Sequence, residues 1–240
     1  MYTAIVTGAS GGIGSAIARR LARMGYDTAV CYKSGKERAE ALVSQILEEG
    51  CSAFPLCLDA ADEDSIVRAV EECEKRGPLA AAVNNAGIWS GGQIQDVEAG
   101  TVRQMLDVNT VGPILLCREA AKRMIPRKEG SIINISSIWG ETGASCESVY
   151  SATKAALIAF TKSLALELGP SGIRVNCIAP GVIDTPMNSG YSAEEIQELI
   201  DSTPLRRIGT PEDIADAVEF LVKTTFVTGR VITVDGGFTL

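Results

Sequence analysis

Short apolar runs alternate along the chain with longer stretches in which apolar residues recur every three or four positions. The short runs are rich in valine and isoleucine and nearly continuous in apolar character, which is typical of strands covered on both faces. They span residues 3–7, 28–32, 53–58, 80–84, 131–136, 174–179 and 230–234. The pattern therefore predicts a sheet of seven buried strands.

The longer stretches have the period of amphipathic helices. They span residues 12–24, 36–49, 63–76, 98–124, 150–168 and 211–222. Gly25, Gly50 and Gly169 stand where a helix end needs a left-handed residue, and Thr210 with Pro211 suits the start of the last helix. Strands and helices in alternation predict an α/β fold, with a doubly wound parallel sheet and helices on both faces.

One segment departs from this alternation. Residues 181–203 are irregular apart from a short predicted helix at 193–201. A long excursion of this kind in a compact domain is more often a functional lid than a packing element. Because the chain shows no linker-like segment, composition shift or internal repeat, we expect one domain over residues 1–240.

Composition narrows the chemistry that the chain can perform. The net charge is −8, which argues against nucleic acid as a partner. Histidine is absent from the sequence, and this excludes Ser-His-Asp hydrolysis, Cys-His proteolysis and the usual His-ligated zinc sites. An acid–base group that works near neutral pH must then be a perturbed tyrosine, lysine, cysteine or carboxylate, and we expect no metal.

The cysteines and the first residues indicate a compartment. Seven cysteines occur without a Cys-x-x-Cys pair, so reduced thiols are expected. Met1 leads directly into the first strand without a basic segment, and no apolar stretch approaches the ~20 residues of a membrane helix. We therefore expect a cytoplasmic protein without a membrane partner.

The first strand is followed at once by a glycine-rich turn and a helix. Gly8, Gly12 and Gly14 let the backbone turn tightly and approach a pyrophosphate, to which the helix start offers unpaired N–H groups. The alternative is a glycine-rich turn without a ligand. The position after the first strand of a β–α–β unit favours a dinucleotide.

The second strand should end near the adenine ribose, where an NAD(H) enzyme places an acidic residue. This chain has no carboxylate there, since Asp27 lies at the other end of the strand. Lys33 and Ser34 could hold a 2′-phosphate, although Lys33 could also be a solvated surface lysine. The loop therefore favours NADP(H) over NAD(H).

Three later residues are candidates for catalysis. Tyr150 and Lys154 are four residues apart in a predicted helix and can face one site, while Ser137 follows the fifth strand. A free phenol has a pKa of ~10, and a nearby ammonium would lower it. On its own, the Tyr-x-x-x-Lys pair is more simply explained as two residues on a helix surface.

Together these residues resemble the short-chain dehydrogenase/reductase family, and among its members the 3-oxoacyl-(acyl carrier protein) reductases. The matching positions follow in order along nearly the whole chain: residues 7–14, Asp59, residues 84–87, Asn109, Ser137, Tyr150, Lys154, Pro180 and Gly181 with Thr185, and residues 234–237. The resemblance implies a Rossmann-type fold and NADPH-dependent reduction of a 3-oxoacyl thioester in fatty acid biosynthesis.

The resemblance also implies a role for each matching residue. Ser137 would polarise the substrate carbonyl, Tyr150 would donate a proton, and Lys154 would bind the nicotinamide ribose and lower the pKa of the tyrosine. Asn109 would anchor a water that links Lys154 to solvent. The dinucleotide, with its adenine at Asp59, would contact Gly8, Ser10, Gly12, Ile13, Gly14, Asp59, Ala60, Asn85, Ala86, Gly87, Tyr150, Lys154, Pro180, Gly181, Ile183 and Thr185.

Two features depart from the family pattern. Gly11 stands where NADP(H)-preferring members usually carry arginine. Members that dock acyl carrier protein usually carry basic residues at two places. Arg127 and Lys128 match the first place, while Ser171 occupies the second.

Two other functions remain open at this point. The same chemistry could act on a free ketone, a sugar, an alcohol or a ketone borne by a protein. A dinucleotide-binding sensor without turnover is the third possibility, although binding alone does not need Tyr150. Family members usually form homotetramers through the helices predicted at 98–124 and 150–168 and the C-terminal segment, so a homotetramer is expected.

Overall fold

The computed structural model describes residues 1–188 and 190–240; Ser189, which belongs to the predicted lid, lies outside the described residues. The strands span Thr3–Val6 (β1), Asp27–Tyr32 (β2), Ser52–Cys57 (β3), Leu79–Asn84 (β4), Gly130–Ile135 (β5), Ile173–Pro180 (β6) and Val231–Val234 (β7). They form one sheet in the order β3-β2-β1-β4-β5-β6-β7, in which every neighbouring pair is parallel. The predicted seven-stranded parallel sheet is confirmed.

The strands are connected mainly by α-helices. In the described residues these are Gly12–Arg23 (α1), Lys36–Glu48 (α2), Glu63–Arg76 (α3), Ala99–Leu106 (α4), Gly112–Met124 (α5), Trp139–Thr142 (α6), Ser148–Leu168 (α7), Ala193–Ser202 (α8) and Pro211–Lys223 (α9). Thr210 caps α9 and Pro211 is its first residue, as the sequence predicts. The short α6 is an addition that the sequence pattern does not predict.

The two faces of the sheet carry separate apolar cores. One core packs α1, α2 and α9 against the sheet, with Ile17 and Val218 at its centre. The other packs α3, α5 and α7 against the opposite face, with Ile66, Leu116 and Leu164 among its buried members. Because the strands are covered on both sides, their near-continuous apolar sequences are explained.

The helix predicted at 98–124 is interrupted, which corrects the sequence-based expectation. A π-helical turn at Asp107–Val111 separates α4 from α5. At the start of α5, a Cβ added to Gly112 would lie 2.0 Å from the carbonyl oxygen of Ala60, so the helix packs its backbone against the segment after β3. The wider turn places Asn109 on the inner side of the helix pair, where it is fully buried.

Two of the three predicted helix-ending glycines are confirmed. Gly25 and Gly50 have φ angles of 94° and 77°, in the left-handed region. The expectation for Gly169 is wrong, because its φ is −53° and the chain continues into a tighter turn. Gly172 ends that turn instead, with a φ of 74°.

In residues 1–188 and 190–240, no helix has the length and apolar character needed to cross a membrane. All seven cysteines are free thiols, and the buried ones are Cys31, Cys73, Cys117 and Cys177.

Backbone hydrogen bonds continue beyond the strand ends and align the segments that leave the sheet. Thr7 donates from its backbone N–H to Val83, and Ser136 donates to Ile178 at 2.7 Å. Gly181 donates to Val234 at 3.0 Å. The segments after β1, β4, β5 and β6 therefore meet at one edge of the sheet, where ligands of doubly wound sheets bind.

Candidate active site

Two glycines of the loop after β1 are packed too closely to be replaced by larger residues. Gly8 has a φ of 63°, and a Cβ on it would lie 2.9 Å from the Cα of Ala86. A Cβ on Gly14 would lie 2.4 Å from the carbonyl oxygen of Gly8. The loop therefore folds tightly onto the start of α1 and leaves the N-terminal end of that helix open to the cleft described below.

Side chains at the ends of β1 and β4 hold this loop in place. The hydroxyl oxygen of Thr7 accepts hydrogen bonds from the backbone N–H groups of Asn85 and Ala86, each at 2.9 Å. The Asn85 amide donates to the carbonyl oxygens of Thr7 at 2.9 Å and Gly8 at 3.2 Å. Asn85 thus braces the glycine loop from the neighbouring strand, in agreement with its predicted place.

A cleft of about 790 Å³ opens at this edge of the sheet and collects most of the predicted site residues. Those that line it are Gly8, Ser10, Gly12, Ile13, Asn85, Ala86, Gly87, Ser137, Tyr150, Lys154, Pro180, Gly181, Ile183 and Thr185. The predicted site residues that do not line it are Gly14, Lys33, Ser34, Asp59, Ala60 and Asn109. The structure therefore brings the glycine loop and the catalytic candidates together, and leaves the loop after β2 outside.

Lys33 is engaged by another predicted residue. Its ammonium lies 2.8 Å from the carboxylate of Asp59, and this pairing lowers the pKa of Asp59. The Asp59 carboxylate also accepts from the backbone N–H of Ala61 at 3.0 Å. Neither residue of the pair lines the cleft, and their contacts to the cofactor stay predictions.

Arg38 lines the cleft at the end formed by the glycine loop, and it is not among the site residues predicted from the sequence. It lies in the first turn of α2. A Cβ added to Gly35 would lie 2.9 Å from both the Arg38 guanidinium and the Ser10 hydroxyl, so the glycine loop and this arginine approach each other across Gly35. The sequence feature that could have identified Arg38 is a basic residue in the first turn of the helix after β2.

At the other end of the cleft, Ser137 and Tyr150 form a hydrogen-bonded pair of hydroxyl groups. Ser137 follows β5 and its oxygen accepts from the backbone N–H of Trp139 at 3.2 Å. Tyr150 lies in the first turn of α7 and is 9% exposed. The predicted proximity of these two groups in the cleft is therefore present in the structure.

Lys154 lies one turn further along α7 and is almost fully buried. Its ammonium donates to the carbonyl oxygen of Ile135 at 3.0 Å and lies 5.6 Å from the centre of the Tyr150 ring. The hydroxyl of Ser136 donates to the Lys154 carbonyl oxygen at 2.8 Å and fixes the helix against β5.

Burial controls the acidity of both groups. It raises the pKa of Tyr150 to about 12, with the hydrogen bond from Ser137 acting in the opposite direction. It lowers the pKa of Lys154 to about 8. Burial is the largest influence on the pKa of Tyr150 in this geometry, and the effect of Lys154 on that pKa stays a prediction.

Asn109 forms hydrogen bonds to neighbouring protein groups through both its amide oxygen and its amide nitrogen. Its oxygen accepts from the backbone N–H of Ile88 at 2.8 Å, and its amide donates to the Ile88 carbonyl at 2.8 Å and the Thr153 hydroxyl at 3.2 Å. A Cβ on Gly87 would lie 3.4 Å from both Asn109 and Lys154. The side chain therefore joins the π-helical turn to α7 beside the lysine, and its link to a water stays a prediction.

The remaining walls of the cleft come from aromatic residues and the segment predicted as a lid. Trp89 and Trp139 line it on the side beyond Tyr150. Trp139 is held by an edge-to-face contact with Phe238, with ring centres 6.0 Å apart. Asn188 and Tyr191 of the predicted lid complete this wall.

Known proteins are similar to this chain in sequence and in fold. A family model described as enoyl-(acyl carrier protein) reductase matches residues 8–239. The chain is 40% identical over 239 residues to the oxidoreductase YmfI of Bacillus subtilis (strain 168), with 98% of each chain covered. It is 39% identical over 238 residues to the 3-oxoacyl-[acyl-carrier-protein] reductase FabG of Staphylococcus aureus, with 98% of this chain and 97% of that one covered. The crystal structure of a blue fluorescent protein from a metagenomic library in complex with NADPH has a TM-score of 0.93 at 38% identity, covering 100% of this chain and 98% of that one.

Proposed function

This chain belongs to the short-chain dehydrogenase/reductase family, and from that premise we propose that it reduces a ketone to an alcohol with NADPH, with a 3-oxoacyl thioester as the substrate. The observation that carries the proposal is the hydrogen-bonded Ser137–Tyr150 pair, with Lys154 beside it, in the same cleft as the glycine loop. A binding protein without turnover does not need that pair of hydroxyl groups.

The residues that line the cleft fit a dinucleotide. The glycine loop and the start of α1 present backbone N–H groups to a pyrophosphate, and Arg38 stands where a further phosphate could be held. Asn85 and Thr185 line the path from there to the catalytic hydroxyls. The solved relative that holds NADPH supports this choice of cofactor. When bound, the nicotinamide supplies hydride to the carbonyl carbon.

The chain's own residues handle the charge and the proton. Because burial keeps the pKa of Tyr150 near about 12, its hydroxyl is protonated at neutral pH and can donate to a carbonyl oxygen that gains negative charge. Ser137 offers a second hydroxyl to the same oxygen. Lys154, with a pKa of about 8, is mostly an ammonium at neutral pH and stabilises that charge through its field.

Tyr150→Phe tests this assignment. The variant keeps the buried ring and removes the proton, so NADPH oxidation with an acetoacetyl thioester should fall by about 10²–10⁴-fold. NADPH binding, followed by cofactor fluorescence, should be retained. If the unaltered protein binds NADPH but oxidises it with none of a panel of thioesters and free ketones, the sensor function replaces this one.

A second substrate class, free ketones and alcohols, is favoured by one specific observation. The Arg127 guanidinium, half of the basic pair expected to dock a carrier, donates to Glu74 at 3.2 Å and to the carbonyl of Leu79 at 2.7 Å. This arginine is therefore engaged within the fold. The panel for the Tyr150 assay accordingly includes free ketones beside the thioesters.

We extend the proposal to a homotetramer. Its support is a set of exposed apolar side chains on the elements that the resemblance assigns to subunit contacts. They are Leu106 at the end of α4, Val111 in the π-helical turn, Leu166 on α7, and Phe226 and Leu240 in the C-terminal segment. Exposed apolar patches of this kind mark contact surfaces.

A further inference from the structure

The charges that line the cleft are divided between its two ends. Arg38 and Lys154 line the part that joins the glycine loop to Tyr150. Glu147 and Glu195 line the part beyond Tyr150, where the substrate's other groups would lie. The substrate end is therefore acidic, which is not what a site for anionic substrates requires.

Glu147 is fixed in position by backbone contacts. It caps α7, one helical turn before Tyr150, and its carbonyl accepts from the N–H of Ser151 at 2.8 Å. The residue before it, Cys146, has a left-handed φ of 62°, and its carbonyl accepts from the N–H of Gly92 at 2.7 Å. Two loops of the cleft wall are thus joined by backbone hydrogen bonds at the residue before Glu147.

Trp89 supplies the one hydrogen bond that the Glu147 side chain receives within the described residues. The indole is held in place by Gly91, since a Cβ there would lie 2.7 Å from the Trp89 ring. Burial raises the pKa of Glu147, and the bond from Trp89 only partly opposes this. A carboxylate has about four acceptor positions, so most of this capacity is open to the cleft.

The carboxylate of Glu195 has fewer acceptor positions open to a ligand. Its carboxylate accepts from the backbone N–H of Ser192 at 2.8 Å in the capping box of α8. No lysine or arginine forms an ion pair with Glu147 in the ranges 1–188 and 190–240. Two phenols lie near it: Tyr150, whose pKa the Glu147 charge helps to raise, and Tyr191, a neutral phenol with its pKa raised by burial and by the two carboxylates.

We infer that Glu147, held beside Trp89, is a recognition site for a hydrogen-bond donor on the substrate, an N–H, O–H or ammonium group close to the reacting carbonyl. The same carboxylate disfavours a substrate with a carboxylate in that place. This inference rests on the proposed function and narrows its substrates. A thioester substrate fits this site only where the part of it that lies beside Glu147 presents an amide N–H group.

A matched series of small ketones tests the inference. The probes are methyl propyl ketone and three analogues in which a hydroxyl, an ammonium or a carboxylate replaces the terminal methyl group. Binding to the protein saturated with NADP⁺, where no reduction can occur, is measured by ligand-observed NMR. Reduction with NADPH is measured separately as kcat/KM.

The unaltered protein should bind the ammonium analogue about tenfold more tightly than methyl propyl ketone, and the carboxylate analogue more weakly. Glu147→Gln keeps the shape and removes the charge. It should abolish the ammonium preference and relieve the rejection of the carboxylate, while the hydroxyl analogue, which a glutamine oxygen still accepts, loses less. Glu194→Gln, at an exposed glutamate of α8 that does not line the cleft, is the matched control and should leave the ratios unchanged.

The two proposals fail separately. Equal binding of the ammonium and methyl probes, or an equal loss for all four in Glu147→Gln, overturns the recognition site even where every ketone is reduced. A clear binding preference that disappears in Glu147→Gln, without reduction of any probe or thioester, supports the site and overturns the proposed reductase.

Discussion

At the scale of single residues, Arg38 is expected to decide which dinucleotide the cleft prefers. Its guanidinium can bind a phosphate with two hydrogen bonds, and it stands next to Ser10 of the glycine loop. A hydrogen bond to a charged group contributes ~1.5–3 kcal/mol, so Arg38→Ala should raise the KM for NADPH about tenfold or more. The KM for NADH should change little. Steady-state kinetics with both cofactors measure the difference.

Lys33→Ala is the matched control for this arginine. Lys33 is paired with Asp59 at 2.8 Å, and 64% of its side chain is exposed, so its loss should have a smaller effect on NADPH than the loss of Arg38. If Lys33→Ala has the larger effect, Lys33 and Ser34 hold the 2′-phosphate, as the sequence predicts, and Arg38 does not.

The contrast between these two residues shows what a sequence can predict about a site. The glycine loop, Ser137, Tyr150 and Lys154 were predictable because short fixed spacings place them next to strands and on one face of a helix. The Lys33–Asp59 pair was not, because it depends on the contact between the ends of β2 and β3, which lie far apart in sequence. For Arg38 the sequence offers only a basic residue in the first turn of α2, which does not by itself show that this side chain lines the cleft.

At the scale of elements, the Thr7 hydroxyl joins the ends of β1 and β4. It is buried and accepts from two backbone N–H groups, those of Asn85 and Ala86. Thr7→Val keeps the shape but leaves both donors unsatisfied, and each such group costs ~1–3 kcal/mol. We expect the free energy of unfolding to fall by about 2–4 kcal/mol, measured by urea denaturation. Affinity for NADPH should fall as well, because the glycine loop loses its brace.

Thr7→Ser provides the control for this change. It keeps the hydroxyl and removes one methyl group, so most of the stability and the cofactor affinity should remain. If Thr7→Val and Thr7→Ser are equally destabilised, packing of the methyl group, and not the pair of hydrogen bonds, explains the effect.

The helices and strands were predictable from the sequence, but the interruptions within them were not. Apolar periodicity predicts strands and helices because burial selects the residues on each face. The π-helical turn at Asp107–Val111 leaves that periodicity nearly intact, so the segment resembles one continuous helix. The cause of the interruption is tertiary, since the backbone at Gly112 approaches Ala60 on a different part of the chain.

At the scale of the whole molecule, the order of the strands brings the site together. β1, β4, β5 and β6 are neighbours in the sheet, although long helical segments separate them in sequence. The sequence predicts a parallel sheet with covered faces, but it does not contain the strand order in any local pattern. The joint placement of the glycine loop, Ser137 and the segment after β6 follows from that order.

Buried thiols predict how the stability of the folded state responds to alkaline pH. Burial raises the pKa of Cys73, Cys117 and Cys177 to about 12, so these thiols stay protonated in the folded protein. In the unfolded chain a thiol ionises near ~8.5. A group with a raised folded pKa contributes stability that is present below the unfolded pKa and is lost as pH rises above it. Each thiol should therefore cost about 2 kcal/mol of folding free energy between pH 8 and pH 10.

Cys73→Ala isolates this contribution from opposing ones. Lys154 acts in the other direction, because its folded pKa of about 8 lies below the unfolded value, so the fold gains stability as its ammonium deprotonates. Comparing the variant with the unaltered protein cancels that gain. Urea denaturation under reducing conditions should show the variant losing about 2 kcal/mol less of its free energy of unfolding between pH 8 and pH 10.

Cys57→Ala is the control, since this exposed thiol is solvated in both states. Equal pH slopes for Cys73→Ala and the unaltered protein would mean that water reaches the layer between α3 and the sheet at alkaline pH.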